Sequence, residues 1–372
     1  MANSQGYANR GDVLVNRTAD GVDLNAIFDE INEANRLYNA ERNALASLLT
    51  FPTTDAGHAV PQAGFGSDTF EEATEYGVPR GVGKADYLKI GYTFKDFDLG
   101  LQYTWKFLRD ASAAEVESKI QRAYEADTKL VVGSIFSRLF DDETYTNDWG
   151  IECVGLYNGD GTVPPSHLGQ TFPGTTNHTL ATASDALDAA DLEQSIKNIK
   201  RFGYGVVDSA RILVLAHPDD VELSGLTTWR AGVEYAAGKK AKFDFIVSSN
   251  APAYLTNLEI RGSVPPPEFN GLKVIGSYGG ALVIESYFLP KGYVAVVATG
   301  GPNAPTNVIG FREHKQQQYT GLRLIPGDGP YPLVSSYMQR SFGVGVRHRG
   351  AAVAIEISPN IHYSPPTIKF AL

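Results

Sequence analysis

An α+β fold is predicted by this 372-residue sequence, and three observations predict it. One stretch reads as a helix of unusual length, one reads as a strict two-residue alternation, and short apolar runs punctuated by glycine and proline fill the C-terminal half. The helix covers 112–140, SAAEVESKIQRAYEADTKLVVGSIFSRLF. Ser112 and Glu115 form an S-x-x-E capping box, in which hydroxyl and carboxylate each satisfy a backbone N–H that the first turn leaves unpaired. Val116, Ile120, Tyr124, Val131, Ile135 and Leu139 recur at spacings of three and four, which predicts one buried and one wet face along a rod about 40 Å long. The alternation places Phe97, Leu99, Leu101, Tyr103, Trp105 and Phe107 on one side of a long strand, with Asp98, Gly100, Gln102, Thr104 and Lys106 on the other.

Taken from the N-terminus, residues 1–20 are polar and read as extended until captured. An amphipathic helix follows from Gly21, with Leu24, Ile27, Phe28, Ile31, Leu37 or Tyr38, Leu45, Leu48 and Leu49 on its stripe and Asp20 or Asp23 as its cap. Pro52 bars its continuation. His58 and Pro61 fall in a loop. Leu88, Ile90, Tyr92 and Phe94 form a strand that pairs with the alternating one, and 70–76 a weaker strand before it. A long two-sided hairpin is marginal alone, so it must lie on another chain or domain. Beyond the long helix, 151–157 reads as a strand, 158–162 as a tight turn and 164–182 as an exposed loop. A helix over 184–202 has Asp185, Asp188 and Asp191 towards its start and Lys197, Lys200 and Arg201 at its end, complementing the helix dipole, and Gly203 stops it. RILVLA at 211–216 is a buried-type strand, 222–237 resumes helical spacing, and strands recur at 243–248, 272–276, 281–287, 293–298, 341–347 and 351–357.

Composition narrows the function classes. With 32 basic against 42 acidic residues the formal charge is −10, the wrong sign for a protein that grips nucleic acid by its phosphates. Cys153 is the single cysteine, so neither an intrachain disulfide nor a thiolate metal cluster can form, and it reads as a small buried hydrophobe. The N-terminus lacks a signal-peptide pattern and no apolar run is long enough to span a bilayer, so synthesis in the cytoplasm without a membrane partner is expected. The sequons at Asn16 and Asn177 are then chance matches.

Ala216-His217-Pro218-Asp219-Asp220, directly after RILVL, resembles the AHPDD motif of zinc-dependent de-N-acetylases. There the histidine and second aspartate bind zinc and the first aspartate is the general base. Val221 stands where that family has glutamate, and His314, His348 and His362 stand singly, not in an H-x-x-H pattern. The segment is therefore read as a strand-to-helix turn, with Asp219 or Asp220 capping a helix from about Glu222. GVPRGVGKA at 77–85 fails the phosphate-loop spacing and has Ala85 where magnesium needs Ser or Thr. Lys84 and Lys89 read as solvated or as contacts between subunits. Asp141, Asp142 and Glu143 read as a helix end. No catalytic, metal or cofactor-binding residue is assigned, and no cofactor.

Across nearly its whole length the order of elements resembles a tailed-phage major capsid protein of the HK97-like fold, most like those of actinobacterial phages. DGVDLNAIFDEINEANRLYNAERNALASLL resembles the N-terminal arm, FEEATEYGVPRGVGKADYLKIGYTFKDFDLGLQYTWKFL the extended E-loop, and 112–140 the spine helix. The resemblance implies an arm over 1–58, an E-loop over 59–108, a peripheral domain over 109–182 and 346–372, and an axial domain over 183–345. It further implies a non-enzymatic subunit assembling as pentamers and hexamers into an icosahedral shell around double-stranded DNA, without sequence-specific binding. Its partners would be copies of itself, a separate scaffolding protein, a portal and decoration proteins. An encapsulin-type nanocompartment shell of the same fold and the zinc enzyme are the alternatives.

Overall fold

The computed structural model describes residues 15–40, 43–61, 70, 72–73, 87–101, 103–161, 164, 176–207, 209–249, 264–328 and 333–369. In chain order the elements are helices α1 (Leu24–Ala40) and α2 (Ala44–Leu49), strands β1 (Thr50–Thr53), β2 (Gly57–Pro61), β3 (Tyr87–Gly91) and β4 (Lys95–Gly100), helix α3 (Trp105–Asp110) and the long helix α4 (Ala113–Phe140). Then come β5 (Tyr145–Thr146), β6 (Glu152–Cys153), β7 (Thr179–Ala181), α5 (Ala189–Arg201), β8 (Arg211–Ala216), α6 (Pro218–Ser224), β9 (Glu234–Ala236) and β10 (Lys239–Lys240). The C-terminal part is strand: β11 (Ile246–Val247), β12 (Glu268–Phe269), β13 (Leu272–Tyr278), β14 (Ala281–Glu285), β15 (Tyr293–Thr299), β16 (Ile309–Arg312), β17 (Leu322–Ile325), β18 (Tyr337–Val346) and β19 (Ala352–Glu356). The chain divides into two compact units, 1–43 with 94–130 and 313–342, and 44–93 with 131–312 and 343–372.

In the first unit α1 lays Leu24, Ile27 and Ile31 against Val116, Ile120 and Ala123 of α4, and the same core takes in Leu322, Leu324 and Met338. β18 pairs antiparallel with β4 on one side and β17 on the other. Asn39 at the end of α1 acts as a substitute strand partner: its amide nitrogen donates to the Leu322 carbonyl at 2.8 Å, and the Leu322 N–H returns to its oxygen at 2.8 Å. The expected capping box of α4 is present, with the Ser112 N–H on Glu115 at 2.7 Å. A second acceptor completes that helix start. The Asp20 carboxylate takes the Ala113 N–H at 3.1 Å from 93 positions away, while Asp23 caps α1 by accepting the Asn25 N–H at 2.8 Å.

In the second unit the main sheet runs β11-β13-β14-β8-β15-β19-β7, with β12 added beside β13. β8 is parallel to β14 and antiparallel to β15, and β19 is antiparallel to β15 and parallel to β7. Strands covered on both faces need apolar residues at every position; RILVLA, YVAVVAT and AVAIE supply them, and all but their first residues in β8 and β15 are buried. Leu192, Ile196 and Ile199 of α5 join that core with the fully buried Trp229. His178 lies wholly buried beside β19, its Nδ1 donating to the Ala352 carbonyl at 2.7 Å. Burial holds its pKa down to about 4 from the ordinary 6.5.

Several expectations change. The helix over 21–49 is two helices, α1 and α2. The wet face of α4 ends at Lys129: from Leu130 onward no residue of the helix is exposed, because VVGSIFSRLF carries only one charge, Arg138, whose Nη2 donates to the Glu143 and Cys153 carbonyls at 3.1 and 3.2 Å. The alternating strand stops at Gly100. Thr104 accepts the Phe107 N–H at 3.2 Å and starts α3, while Leu101, Tyr103 and Leu108 turn into the core. β3 and β4 do not pair with each other. β3 pairs with β2, so His58 is in a strand, and β4 pairs with β18. The helix expected over 222–237 is the short α6, stopped by Gly225 in the left-handed region at φ 59°, followed by a 3-10 turn over Leu226–Thr228 and then β9, which pairs with β10. The helix over 184–202 starts at Ala189, and 151–157 narrows to β6. Of the strand expected over 70–76, Phe70, Glu72 and Ala73 are in no strand and the rest lies outside the described residues, as does most of the loop over 164–182; the end of that loop is not exposed, since His178 is buried and Thr179–Ala181 is β7.

Two outcomes follow from this burial. Ile120→Asp and Ile135→Asp should each abolish the folded subunit, and Ile135→Ala should cost about 2–5 kcal/mol, read by denaturant unfolding. His178 is neutral in the fold, so between pH 6.5 and about 4 the unfolded chain binds the proton first and stability falls as pH falls, with no further loss from this group below about 4. His178→Gln should reduce that slope of unfolding midpoint against pH.

Candidate assembly surfaces

No group of three or more His, Cys, Asp or Glu suited to a metal ion occurs among the described residues. His217 is itself the N-cap of α6: its Nδ1 accepts the Asp219 N–H at 3.2 Å, and Pro218 occupies the first helical position. This corrects the cap assigned to Asp219 or Asp220. Asp219 is paired with Lys291 at 3.2 Å, and the buried Asp220 accepts the Gly292 N–H at 2.7 Å. His348 is committed elsewhere, to the Tyr204 hydroxyl at 3.0 Å and the Pro305 carbonyl at 2.9 Å. The segment is thus the strand-to-helix turn. Asp141 accepts the Glu143 N–H at 2.9 Å and pairs with Arg138 at 3.4 Å, which ends α4. Cys153 is buried, and burial pushes its thiol up. The 77–85 loop, with Lys84, lies outside the described residues; Lys89 is exposed on β3.

β2 and β3 form a two-stranded ribbon whose connecting segment is 62–86. Its root is tightly specified. Asn147 donates one amide nitrogen to both the Ala56 carbonyl at 3.1 Å and the Tyr92 carbonyl at 3.0 Å. The Tyr92 ring lies against Gly310 and Gly345, which face each other across β16 and β18. A Cβ at Gly310 would come within 2.2 Å of that ring, and one at Gly345 within 2.7 Å. The Tyr92 hydroxyl meets His58 Nδ1 at 2.7 Å. From the sequence Tyr92 is expected only as one residue of an alternating strand, and nothing there marks Asn147, Gly310 or Gly345. The available signal is glycine inside an apolar strand, as in SFGVGV, which marks close approach by another group.

The α1–α4 seam carries the second specified contact. Arg340 pairs with Asp127 at 2.6 Å, both buried, and the Tyr38 hydroxyl donates to the same Asp127 oxygen at 2.9 Å. Burial pushes the Asp127 carboxyl up, and the Arg340 charge opposes that shift. Burial and the Asp127 charge together push Tyr38 up to about 12. Large apolar side chains remain exposed, among them Leu37 and Leu99 in the first unit and Tyr87, Val207, Leu223 and Tyr287 in the second.

Among solved structures the chain is similar to that of Mycobacterium phage Patience, with 35% identity, 98% of this chain and 96% of that chain covered, and a TM-score of 0.72. The chain belongs to the HK97-like major capsid proteins of bacteriophages. This capsid protein is a structural subunit of a self-assembling icosahedral shell, and its place is the virion. Fainter likeness extends to the mature capsid of bacteriophage PhiM1, at 13% identity, TM-score 0.47 and coverage of 86% and 88%. It extends also to the SrpI encapsulin of Synechococcus elongatus, at 13% identity, TM-score 0.45 and coverage of 90% and 98%. No protein-family model and no curated protein matches the chain.

Gly345→Ala should displace Tyr92 and lower thermal stability, and adding Tyr92→Leu should recover part of the loss. Arg340→Met strands a buried carboxylate and should cost about 3–5 kcal/mol by denaturant unfolding, while Arg340→Met with Asp127→Leu should cost clearly less.

Proposed function

We propose that this capsid protein forms pentamers and hexamers that enclose a double-stranded DNA genome, assembling in the host cytoplasm. The reading is carried by its identity to the Patience chain over nearly the full length of both. Residues 1–58 act as the arm, 59–108 as the E-loop, 109–182 with 346–372 as the peripheral domain and 183–345 as the axial domain. The ribbon of β2 and β3 supports the E-loop assignment, since its root is clamped while Tyr87 and Lys89 are exposed. An excess of 10 acidic charges suits a lining that contains DNA without adhering to it. Weak contacts repeated around closed rings make a strong shell and allow correction during assembly. A separate scaffolding protein, a portal and decoration proteins complete the set of partners.

Negative-stain imaging of the purified protein should show shells, tubes or capsomers. A monodisperse monomer carrying stoichiometric zinc would refute the reading, and shells purified with a protein cargo in place of DNA would favour the nanocompartment. Deleting residues 78–85 should leave the folded body intact, by circular dichroism, while abolishing shells. Normal particles would remove the E-loop role. His217→Ala should leave assembly largely intact.

A further inference from the structure

Among the described residues the strands of the β9–β10 hairpin pair only with each other. Its residues are exposed except Tyr235 and Lys239, and both of those reach the start of α5. Lys239 Nζ lies 2.5 Å from Asp188 and 3.4 Å from the Ser184 hydroxyl. The Tyr235 hydroxyl accepts the Ala189 N–H at 3.0 Å. Asp188 is also half of the capping box that starts α5, with Asp191 as its counterpart. Burial and the Asp188 charge push Asp191 up to about 6, so two acidic groups share this corner with Lys239 as their cation. Just beyond the hairpin the Lys242 N–H donates to Glu193 at 2.8 Å, and Glu193 also accepts the Tyr278 hydroxyl at 2.6 Å.

Beneath these tethers lies Trp229, fully buried, with the Tyr235 ring 5.0 Å from its own. Its indole N–H is buried without an acceptor among the described residues. A closed hairpin therefore holds one donor dry and unpaired, which costs free energy that water would return on opening. The closing contacts are polar and partly exposed, the kind that hold weakly and are screened by salt. Below them, Val214, Val296 and Val353 belong to a core that does not depend on the hairpin for its own pairing.

We propose that the β9–β10 hairpin is an ionic strap, locked over Trp229 and the start of α5 by Lys239 on Asp188, that opens without unfolding the sheet below. A chain that repeats in a shell thereby has two local shapes at this corner. Asp188→Asn tests it, because asparagine caps a helix as well as aspartate but cannot hold the ammonium by charge. Residue-resolved amide hydrogen exchange on the full-length protein supplies the readout, at low salt and at about 1 M NaCl.

The Ala189 and Lys242 amides should exchange about three- to tenfold faster in Asp188→Asn than in the unaltered protein, while those of Val214 and Val296 are unchanged. Raising salt should move the unaltered protein in the same direction and the variant much less. Tyr235→Phe, which removes only the hydroxyl, should speed the same two amides. Unchanged exchange at Ala189 and Lys242 would overturn the proposal, and so would equal acceleration at the Val214 and Val296 amides, which would make the contact structural cement.

Discussion

One helix with two kinds of burial sets the terms for the rest of the molecule. As far as Lys129, α4 buries a single stripe, Val116, Ile120, Ala123 and Asp127, and leaves the opposite side to water. From Val131 to Phe140 it has no exposed residue. The side chains change to match: glutamate, lysine and arginine recur through the first part, and the second is VVGSIFSRLF. A helix that is apolar all round must be enclosed, so each unit has to supply its own surroundings to its own part of the rod. In the first unit α1 and the β17–β18–β4 sheet do this. Arg138 shows how strict the enclosure is, since its terminal guanidinium nitrogens bond to the Glu143 and Cys153 carbonyls and to Asp141 instead of reaching solvent.

Buried polar contacts then fix registers that hydrophobic burial alone leaves loose. Asp127 with Arg340 and Tyr38 selects one placement of α1 along α4 and of both against β18. Asn39 selects the register of β17 by pairing with Leu322 as a strand would. In the second unit the equivalent device is steric. Gly310 and Gly345 leave a slot one ring deep, Tyr92 fills it, and the ribbon of β2 and β3 starts from that point. A shell subunit whose surfaces meet copies of itself benefits from roots that cannot slip, because an error in one subunit recurs at every contact.

Much of this was legible in the amino-acid sequence where the information is local. The capping box Ser112/Glu115, the stop at Gly203 and the both-face strands RILVLA and AVAIE depend on neighbours within a few residues, and they stand where periodicity puts them. Misreadings cluster where a distant partner decides. The alternation from Phe97 runs on past Gly100, yet the partner strand begins at Tyr337 opposite Gly100, and among the described residues a single further bond, the Leu101 N–H on the Ser336 carbonyl at 3.1 Å, extends the ladder. The pairing of β3 with β2 across 25 intervening residues cannot be seen from alternation. Helical spacing through Val233 gave way to Gly225 and Gly232, both at positive φ. The acceptance of the Ala113 N–H by Asp20 left no local trace at all.

That last contact bears on the order in which the chain comes together. Asp20 leaves the ribosome long before the helix whose first turn it completes, and 93 positions must be made before its partner exists. Its carboxylate also accepts the nearby Thr18 hydroxyl. The turn around it is closed by near neighbours, with the Leu24 N–H on the Asn16 carbonyl at 3.1 Å. The turn around Asp20 is thus closed by short-range bonds and joined to the start of α4 by a long-range one. Closing that bond is a step of high sequence separation, which costs loop entropy that the turn's own bonds do not.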